Sequence, residues 1–321
     1  MAQNMVAELA IRHFGAHELG IYAYDMNTDS EAMLHARLDG ILAGVTNEDV
    51  VFIQSPLWNS THFEKALMKR MHVIAPGAKC VIFVHDMPPL MWESERYLIP
   101  LYVELYNMAD LLIFPTVQAH SFWQEQGLKV EKVLIQHMWD HPVEVDTSIK
   151  PPFSKTICFA GKAEKFTFVK EWQSEQVTLA VTADDTQWPD SRNVKKLGWI
   201  QNDAVLVHTL RSTGGFGLHW TQDPYWWEYM KYNASYKLSL YLAAGLPVII
   251  PPEHPEKEYI LKKRIGIVAE SLEDVVEKVS GMTPERYDEM MQAVESVGDF
   301  LRNGGMVKKL FADAIYKLYF E

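Results

Sequence analysis

The chain reads as α/β, with two Rossmann-like, doubly wound halves, and three observations lead there. Short apolar runs alternate with amphipathic stretches along its whole length. Several runs, Cys80–Val84 among them, are continuous in Val, Ile, Leu and Phe rather than alternating with polar residues. That is the pattern of strands buried on both faces of a parallel sheet. The length, 321 residues, suits two domains at roughly 100–200 residues each.

Taken in order, Met1–Phe14 opens as a helix, with Met5, Leu9 and Ala10 on one side. No strand precedes it, so either the fold opens with a helix or the true N-terminus lies outside this numbering. Strands are expected at Leu19–Tyr24, Val50–Gln54, Cys80–Val84, Leu111–Phe114, Val133–Gln136, Thr156–Phe159, Thr178–Val181, Gly215–Trp220, Pro247–Ile250 and Ile265–Val268. Helices are expected at Ser30–Ala43, Thr61–Met71, Glu95–Met108, Gln118–Gln126, Asn202–Arg211, Ser235–Ala244, Leu272–Val279 and Pro284–Phe300. Strand followed by helix, repeated this way, builds a doubly wound sheet. Val143–Ser154 is polar, holds two adjacent prolines and lacks periodicity, which marks a boundary. The expected domains are therefore 1–146 and 153–321. A last helix at 306–320 carries Val307, Leu310, Phe311, Ala314, Ile315 and Leu318 at helical spacing, and can pack back on the first domain.

Composition narrows the function. With 48% hydrophobic and 22% charged residues the chain can bury a large core, so disordered and fibrous classes are excluded. The net charge of −12 opposes a nucleic-acid partner, which needs a basic face. Residues 1–152 hold 10 basic and 19 acidic groups, and residues 153–321 hold 20 and 23. An anionic ligand is thus better hosted by the second half. The two cysteines, Cys80 and Cys158, lie in apolar runs, imply no disulfide framework and fit a reducing cytoplasm. No signal peptide is visible and no apolar run approaches the ~20 residues of a membrane span. The 10 Trp, 14 Tyr and 14 Phe suit ligand clefts and interfaces.

Ligands of open α/β sheets sit outside the carboxyl ends of the strands. Polar residues gather there: Trp58-Asn59, His85-Asp86, Gly161 to Lys165, Trp199, and Pro251 to Pro255. Nicotinamide, Walker A and nucleophile-elbow fingerprints are absent. No D-x-D stands at a strand end, and Asp184-Asp185 reads as a loop, so no metal site is expected. His137 and His141 have zinc-like spacing only on a helix, which Pro142 blocks, so structural roles are favoured. Lys165 follows a strand end and Lys237 opens a helix; together with that helix start they can cradle a diphosphate. Either lysine alone is more often a solvated surface group, and Trp199 alone is more often packing. His85-Asp86 can equally be a helix cap before Pro88.

Longer motifs decide between these readings. Gly214-Gly-Phe-Gly-Leu-His-Trp220 is followed by Asn233-Ala-Ser-Tyr-Lys237-Leu-Ser-Leu-Tyr-Leu-Ala-Ala-Gly245-Leu-Pro247. With Glu18–Tyr24, Arg37–Gly40, Trp58-Asn59, His85-Asp86, Trp139–Pro142 and Phe168–Trp172, this strongly resembles the glucosyltransferases that add the second sugar during O-glycosylation of serine-rich adhesins in streptococci and lactobacilli. The similarity runs from Gln3 to the C-terminal helix.

The resemblance implies a GT-B fold, in which two Rossmann-like domains face a cleft and the second holds a UDP-sugar. It implies retention of configuration, no metal and a homo-oligomer, a dimer or tetramer. By the same resemblance Lys165 stands for an arginine of the family's G-N-P-E-R-F segment, here Gly161–Phe166, and contacts the diphosphate. Lys237 is the S-Y-K-L lysine, with Tyr236 beside it, and Trp199 replaces a nucleotide-contacting tyrosine. Gly217 belongs to the same nucleotide-binding set, and Glu258 is placed at the ribose hydroxyls. Trp58 and Asn59 lie on the acceptor side, and His85 and Asp86 orient acceptor or sugar hydroxyls. The family's first strand is not in this sequence, and the loop Pro251–Lys257 is proline-rich and acidic where relatives carry smaller residues. The expected activity is transfer of a hexose, glucose, from UDP-sugar to GlcNAc-O-Ser/Thr of an adhesin. Alternatives are a capsule or exopolysaccharide transferase such as a galactofuranosyltransferase, and a non-catalytic subunit of the same fold.

Overall fold

The computed structural model describes residues 2–161, 165–183 and 191–321. The chain forms two compact units: Met1–His137 with Val307–Glu321, and Met138–Met306. In the first unit the order is α1 (Ala2–Phe14), α2 (Glu31–Leu42), β1 (Val50–Ser55), α3 (Thr61–Ile74), β2 (Lys79–Val84), α4 (Pro88–Met91), α5 (Ile99–Tyr106), β3 (Leu111–Phe114), α6 (Val117–Glu125) and β4 (Val133–Ile135). The four strands are parallel, in the order β1-β2-β3-β4. All of β3 and all but the first residue of β2 are buried, which is why both are continuous apolar runs. Ser30, Ser60 and Thr116 start α2, α3 and α6 by accepting from the N–H of Met33, Phe63 and Ala119.

Leu19–Tyr24, expected as a strand, is irregular. Gly20, Tyr22 and Ala23 are exposed, and the Tyr24 N–H donates to the Asn59 side chain at 3.3 Å. Alternating apolar residues make a strand only where a neighbouring edge takes their backbone groups, and β1 pairs with β2 alone.

The second unit runs β5 (Thr156–Phe159), β6 (Thr178–Val181), β7 (Val194–Lys196), α7 (Asp203–Thr213), β8 (Phe216–Leu218), α8 (Pro224–Met230), α9 (Tyr236–Ala243), β9 (Val248–Ile250), α10 (Lys257–Lys263), β10 (Gly266–Val268), α11 (Leu272–Ser280) and α12 (Pro284–Arg302). Its six parallel strands are ordered β7-β6-β5-β8-β9-β10. This is the doubly wound order 3-2-1-4-5-6, whose switch point lies between β5 and β8. Asp223 starts α8 by accepting from two backbone N–H groups, with Pro224 at its first position.

The polar stretch Val143–Ser154 packs with the second unit, which runs from Met138 to Met306. Buried Arg211 of α7 explains this. Its guanidinium donates to the carbonyls of Thr147 (3.3 Å) and Ile149 (2.7 Å) and pairs with Glu295 of α12 at 2.9 Å. The stretch is a strap held by that cation, by the Gly215 N–H donating to the Pro152 carbonyl at 3.3 Å, and by Val143 and Val145 packed on the core. The last helix, α13 (Gly305–Phe320), groups from Val307 with the first unit. There Phe311 stacks on Phe52 of β1 at 4.0 Å. Lys132 donates to the carbonyls of Lys317 and Leu318, a cation at the negative end of the helix.

Arg211→Ala removes the donor to the Thr147 and Ile149 carbonyls and one of the two arginines on Glu295, which keeps Arg302 at 2.6 Å, so a loss of about 2 kcal/mol is expected, the scale of buried carbonyls left without a donor. Urea unfolding measures it; a change below ~1 kcal/mol means that packing alone holds the strap.

Candidate functional site

The carboxyl ends of β5 and β8 and the first turn of α9 bring Gly161, Lys165 and Lys237 together. The Lys237 ammonium lies 3.9 Å from the centre of the Phe166 ring and 5.0 Å from that of Phe159. Lys165 lies 3.2 Å from the centre of the Trp226 ring on α8 and 5.9 Å from that of Phe166. A Cβ on Gly161 would stand 2.7 Å from the Phe159 ring and 3.2 Å from the Lys237 nitrogen. The bare glycine therefore lets the ammonium come up to the backbone. The Ala160 N–H donates to the Tyr241 hydroxyl at 2.7 Å, hooking α9 to the end of β5. Gly217, expected among the nucleotide-binding residues, has a packing reason: a Cβ there would fall 2.1 Å from the Tyr241 ring.

Burial, and then the charge of Lys165, push the Lys237 ammonium down to about 7. Burial also lowers Lys165, opposed by Asp223. Among the described residues neither lysine has an ion-pair partner. Two ammonium groups held on aromatic faces, Lys237 largely buried at a helix N-terminus and Lys165 exposed beside it, are completed by an anion with several oxygens.

The Trp139–Pro142 motif fixes the start of α9. The Trp139 N–H donates to the Ser239 hydroxyl at 2.9 Å and its indole to the Ala234 carbonyl at 2.7 Å. The His141 ring meets the Tyr236 carbonyl at 3.2 Å and packs on the Tyr236 ring at 4.1 Å. Burial brings His141 down to about 4, so it is neutral. Tyr236 donates from its hydroxyl to Asp203 of α7 at 3.2 Å. No helix joins His137 to His141; His137 has φ +67° and its N–H donates to the Pro115 carbonyl.

Trp199 is an exposed indole past β7, at one edge of the sheet. Glu258 is exposed on the first turn of α10, past β9 and near the other edge. No hydrogen bond or ion pair joins Glu258 to either lysine among the described residues. A ribose is bonded directly to its base, so this layout separates the two expected nucleoside contacts. Asp184-Asp185, and Lys162 to Glu164 of the Gly161–Phe166 segment, lie outside the described residues. Phe166 and Trp226, which seat the lysines, carry no signal in the sequence beyond their aromatic character.

In the first unit the other four expected residues gather past β1 and β2. The His85 N–H donates to the Ser55 carbonyl at 2.8 Å. Buried Glu64 accepts from the Ser55 hydroxyl (2.7 Å) and the Leu57 N–H (2.8 Å), holding the loop that carries Trp58 and Asn59; burial raises it to about 7. Trp58 is half exposed at φ +61° and meets Trp92 edge to face. His85 is buried against Phe83, and burial takes it down to about 3. The cap of α4 is Met87, without a side-chain bond, so Asp86 does not serve as its cap.

Residues 1–138 match the glucosyltransferase 3-like N-terminal domain and residues 157–314 its C-terminal domain. The chain is 37% identical to glucosyltransferase 3 of Streptococcus gordonii over 324 residues, covering 99% of this chain and 94% of that one. It is 34% identical to glucosyltransferase 3 of Streptococcus parasanguinis over 317 residues, covering 99% and 93%. It is 23% identical over 294 residues to the β-1,6-galactofuranosyltransferase WbbI of Escherichia coli K12, covering 87% and 83%. Among solved structures it is similar to HepE of Anabaena in complex with UDP and glucose, with TM-score 0.58, 11% identity and coverage of 88% and 81%. It is also similar to WaaG, a glycosyltransferase of lipopolysaccharide biosynthesis, with TM-score 0.53, 14% identity and coverage of 92% and 98%. These likenesses give the fold as GT-B.

A pyrophosphate probe tests the lysine pair without any assumption about a sugar. Because Lys237 titrates near 7 when the site is empty, an anion that recharges it takes up a proton at pH 8 and takes up little at pH 5.5. Calorimetry in two buffers of different ionisation enthalpy reads the uptake; equal heats in both buffers at pH 8 place the anion elsewhere.

Proposed function

Since the chain belongs to the glucosyltransferase 3-like family and is a glycosyltransferase of GT-B fold, we propose that it moves glucose from UDP-glucose to GlcNAc O-linked to Ser or Thr of a serine-rich adhesin. The observation that carries this reading is the pair of ammonium groups seated on Phe166, between the end of β5 and the start of α9. As the glycosidic bond breaks, negative charge grows on the departing diphosphate, and cations already held in a desolvated site stabilise it without reorganisation. Lys237, low in proton affinity while the site is empty, gains most from that charge. Lys165 and the backbone beside Gly161 hold the ground-state diphosphate. Trp199 offers a stacking face to uracil.

No side chain is assigned as a nucleophile. Transfer proceeds with retention, and the leaving phosphate takes the proton of the acceptor hydroxyl. The two lysines supply the charge that a metal supplies elsewhere, so the reaction is assigned no metal. Trp58, Asn59, His85 and Asp86 are assigned to the acceptor. His85, held neutral by burial, orients a hydroxyl rather than moving a proton near pH 7. The family resemblance also supports a homo-oligomer.

The test is a screen of UDP-glucose, UDP-galactose, UDP-N-acetylglucosamine and UDP-galactofuranose against a peptide bearing GlcNAc-O-Ser. Glucose transfer is expected; transfer of galactofuranose instead moves the chain to the class of WbbI. Lys237→Ala is expected to lower the turnover number by roughly 10²–10³-fold, with a smaller effect on donor affinity. A turnover number within about twofold of wild type takes Lys237 out of the reaction. Trp199→Ala is expected to weaken UDP by roughly 5- to 150-fold, the worth of one stacked base, read by calorimetry. An unchanged affinity returns Trp199 to packing.

A further inference from the structure

Trp226 of α8 lies outside every motif that carries the family likeness, yet it touches the less secure of the two cations. Lys165 is exposed, on a flexible four-carbon stem, and three influences draw its ammonium away from the site. Water solvates it, the like charge of Lys237 repels it, and holding a lysine still costs rotamer freedom. Against these stand two groups at the start of one helix. The Lys165 nitrogen lies 3.2 Å from the centre of the Trp226 ring. Burial disfavours the Lys165 charge and Asp223 favours it. The same Asp223 carboxylate accepts from the Tyr225 N–H at 2.9 Å and the Trp226 N–H at 3.2 Å, so it also fixes the backbone that carries the indole. The helix itself is fastened to the core by other rings: Trp227 meets Trp220 edge to face at 5.4 Å, and Tyr229 is buried.

A lysine in place of the family's arginine is a point charge that has to be aimed, whereas the planar fork grips a diphosphate by its own geometry. We infer that Trp226 is a positioning residue: its indole face holds the Lys165 ammonium beside Lys237, so that a diphosphate meets two cations already in place. This rests on the reading of Lys165 and Lys237 as the diphosphate cradle. Two consequences set it apart from a packing residue. Without the indole face Lys165 swings into water, and an arriving anion has to gather it back, which weakens binding. Lys237 then loses a like charge, so its proton affinity rises while the site is empty. Among the described residues the charged or titratable groups that face Lys237 are Lys165 and His219. Burial keeps His219 neutral, its ring against that of His254 at 5.0 Å, so Lys237 reports the movement of Lys165.

Trp226→Leu keeps apolar bulk and removes the aromatic face, whereas Trp226→Phe keeps a face. Pyrophosphate binding to the full chain is measured by calorimetry at pH 8 in two buffers of different ionisation enthalpy. The proteins compared are wild type, both variants, Lys165→Ala, and Lys165→Ala combined with Trp226→Leu. Trp226→Leu is expected to weaken pyrophosphate roughly 3- to 30-fold, the worth of one cation–π contact. It is also expected to lower the proton uptake per anion, since more of Lys237 is already charged at pH 8. Trp226→Phe is expected to keep most of the affinity and of the uptake. In the Lys165→Ala background, Trp226→Leu is expected to cost less than about twofold more, because the indole then holds nothing. The inference is overturned if Trp226→Leu weakens the anion with uptake unchanged, if Trp226→Phe loses as much as Trp226→Leu, or if the two single losses multiply in the double variant. A wild type that takes up no proton with pyrophosphate overturns the cradle and this inference with it. Normal uptake in wild type, with Trp226→Leu indistinguishable from it, overturns the role of Trp226 alone.

Discussion

Everything at the candidate site depends on keeping two like charges close together, with one of them, Lys237, largely out of water. Lys165 and Lys237 share Phe166, and Trp226 takes the other cation–π contact. Such contacts are worth ~0.5–2 kcal/mol, less than the cost of desolvating an ammonium, so the scaffold must supply the rest. It does so through rigidity. Tyr241 hooks α9 to β5, Gly217 makes room for that ring, and Trp139 and His141 bind the turn before and after Ser235. A site built this way is weak in its empty state at one named group, the Lys237 ammonium, and it is strongest when that group faces negative charge.

Much of this was legible in the residues. Continuous apolar runs located the buried parallel strands, since only a strand covered on both faces can be apolar throughout. Loops at strand ends located His85-Asp86 and Gly161 to Lys165, since the topology of an open sheet puts ligands there. Lys165 and Lys237 could be read as a diphosphate cradle from the residues, but only the resemblance favoured that over two solvated lysines, because nothing local links positions seventy-two apart. That Val143–Ser154 is strapped to the second unit was not legible, since Arg211, which holds it, is sixty or more residues away and reads as one helical arginine among others. Leu19–Tyr24 was misread as a strand for the converse reason: its pattern is local, but a ladder needs a neighbour. The His219–His254 pair was invisible, since it exists only where β8 and β9 lie side by side.

The two units handle polar burial differently. At the strand ends of the first, Glu64 is buried but fully engaged by Ser55 and Leu57, and burial leaves His85 neutral. At the strand ends of the second, the Lys237 ammonium and the His219 and His254 imidazoles are buried. The charge asymmetry of the halves follows the same division.

The return of α13 to the first unit sets an order of events during synthesis. Phe52 on β1 is covered by Phe311, and Met138–Met306, the whole second unit, is translated between them. At ~5–20 residues per second the ribosome needs roughly 10–30 s for that stretch. Throughout that interval the nascent first unit offers an uncapped aromatic face, and it can close only after Phe311 has left the exit tunnel. The unit begun first is therefore completed after the second, and the burden on chaperones falls on residues made early.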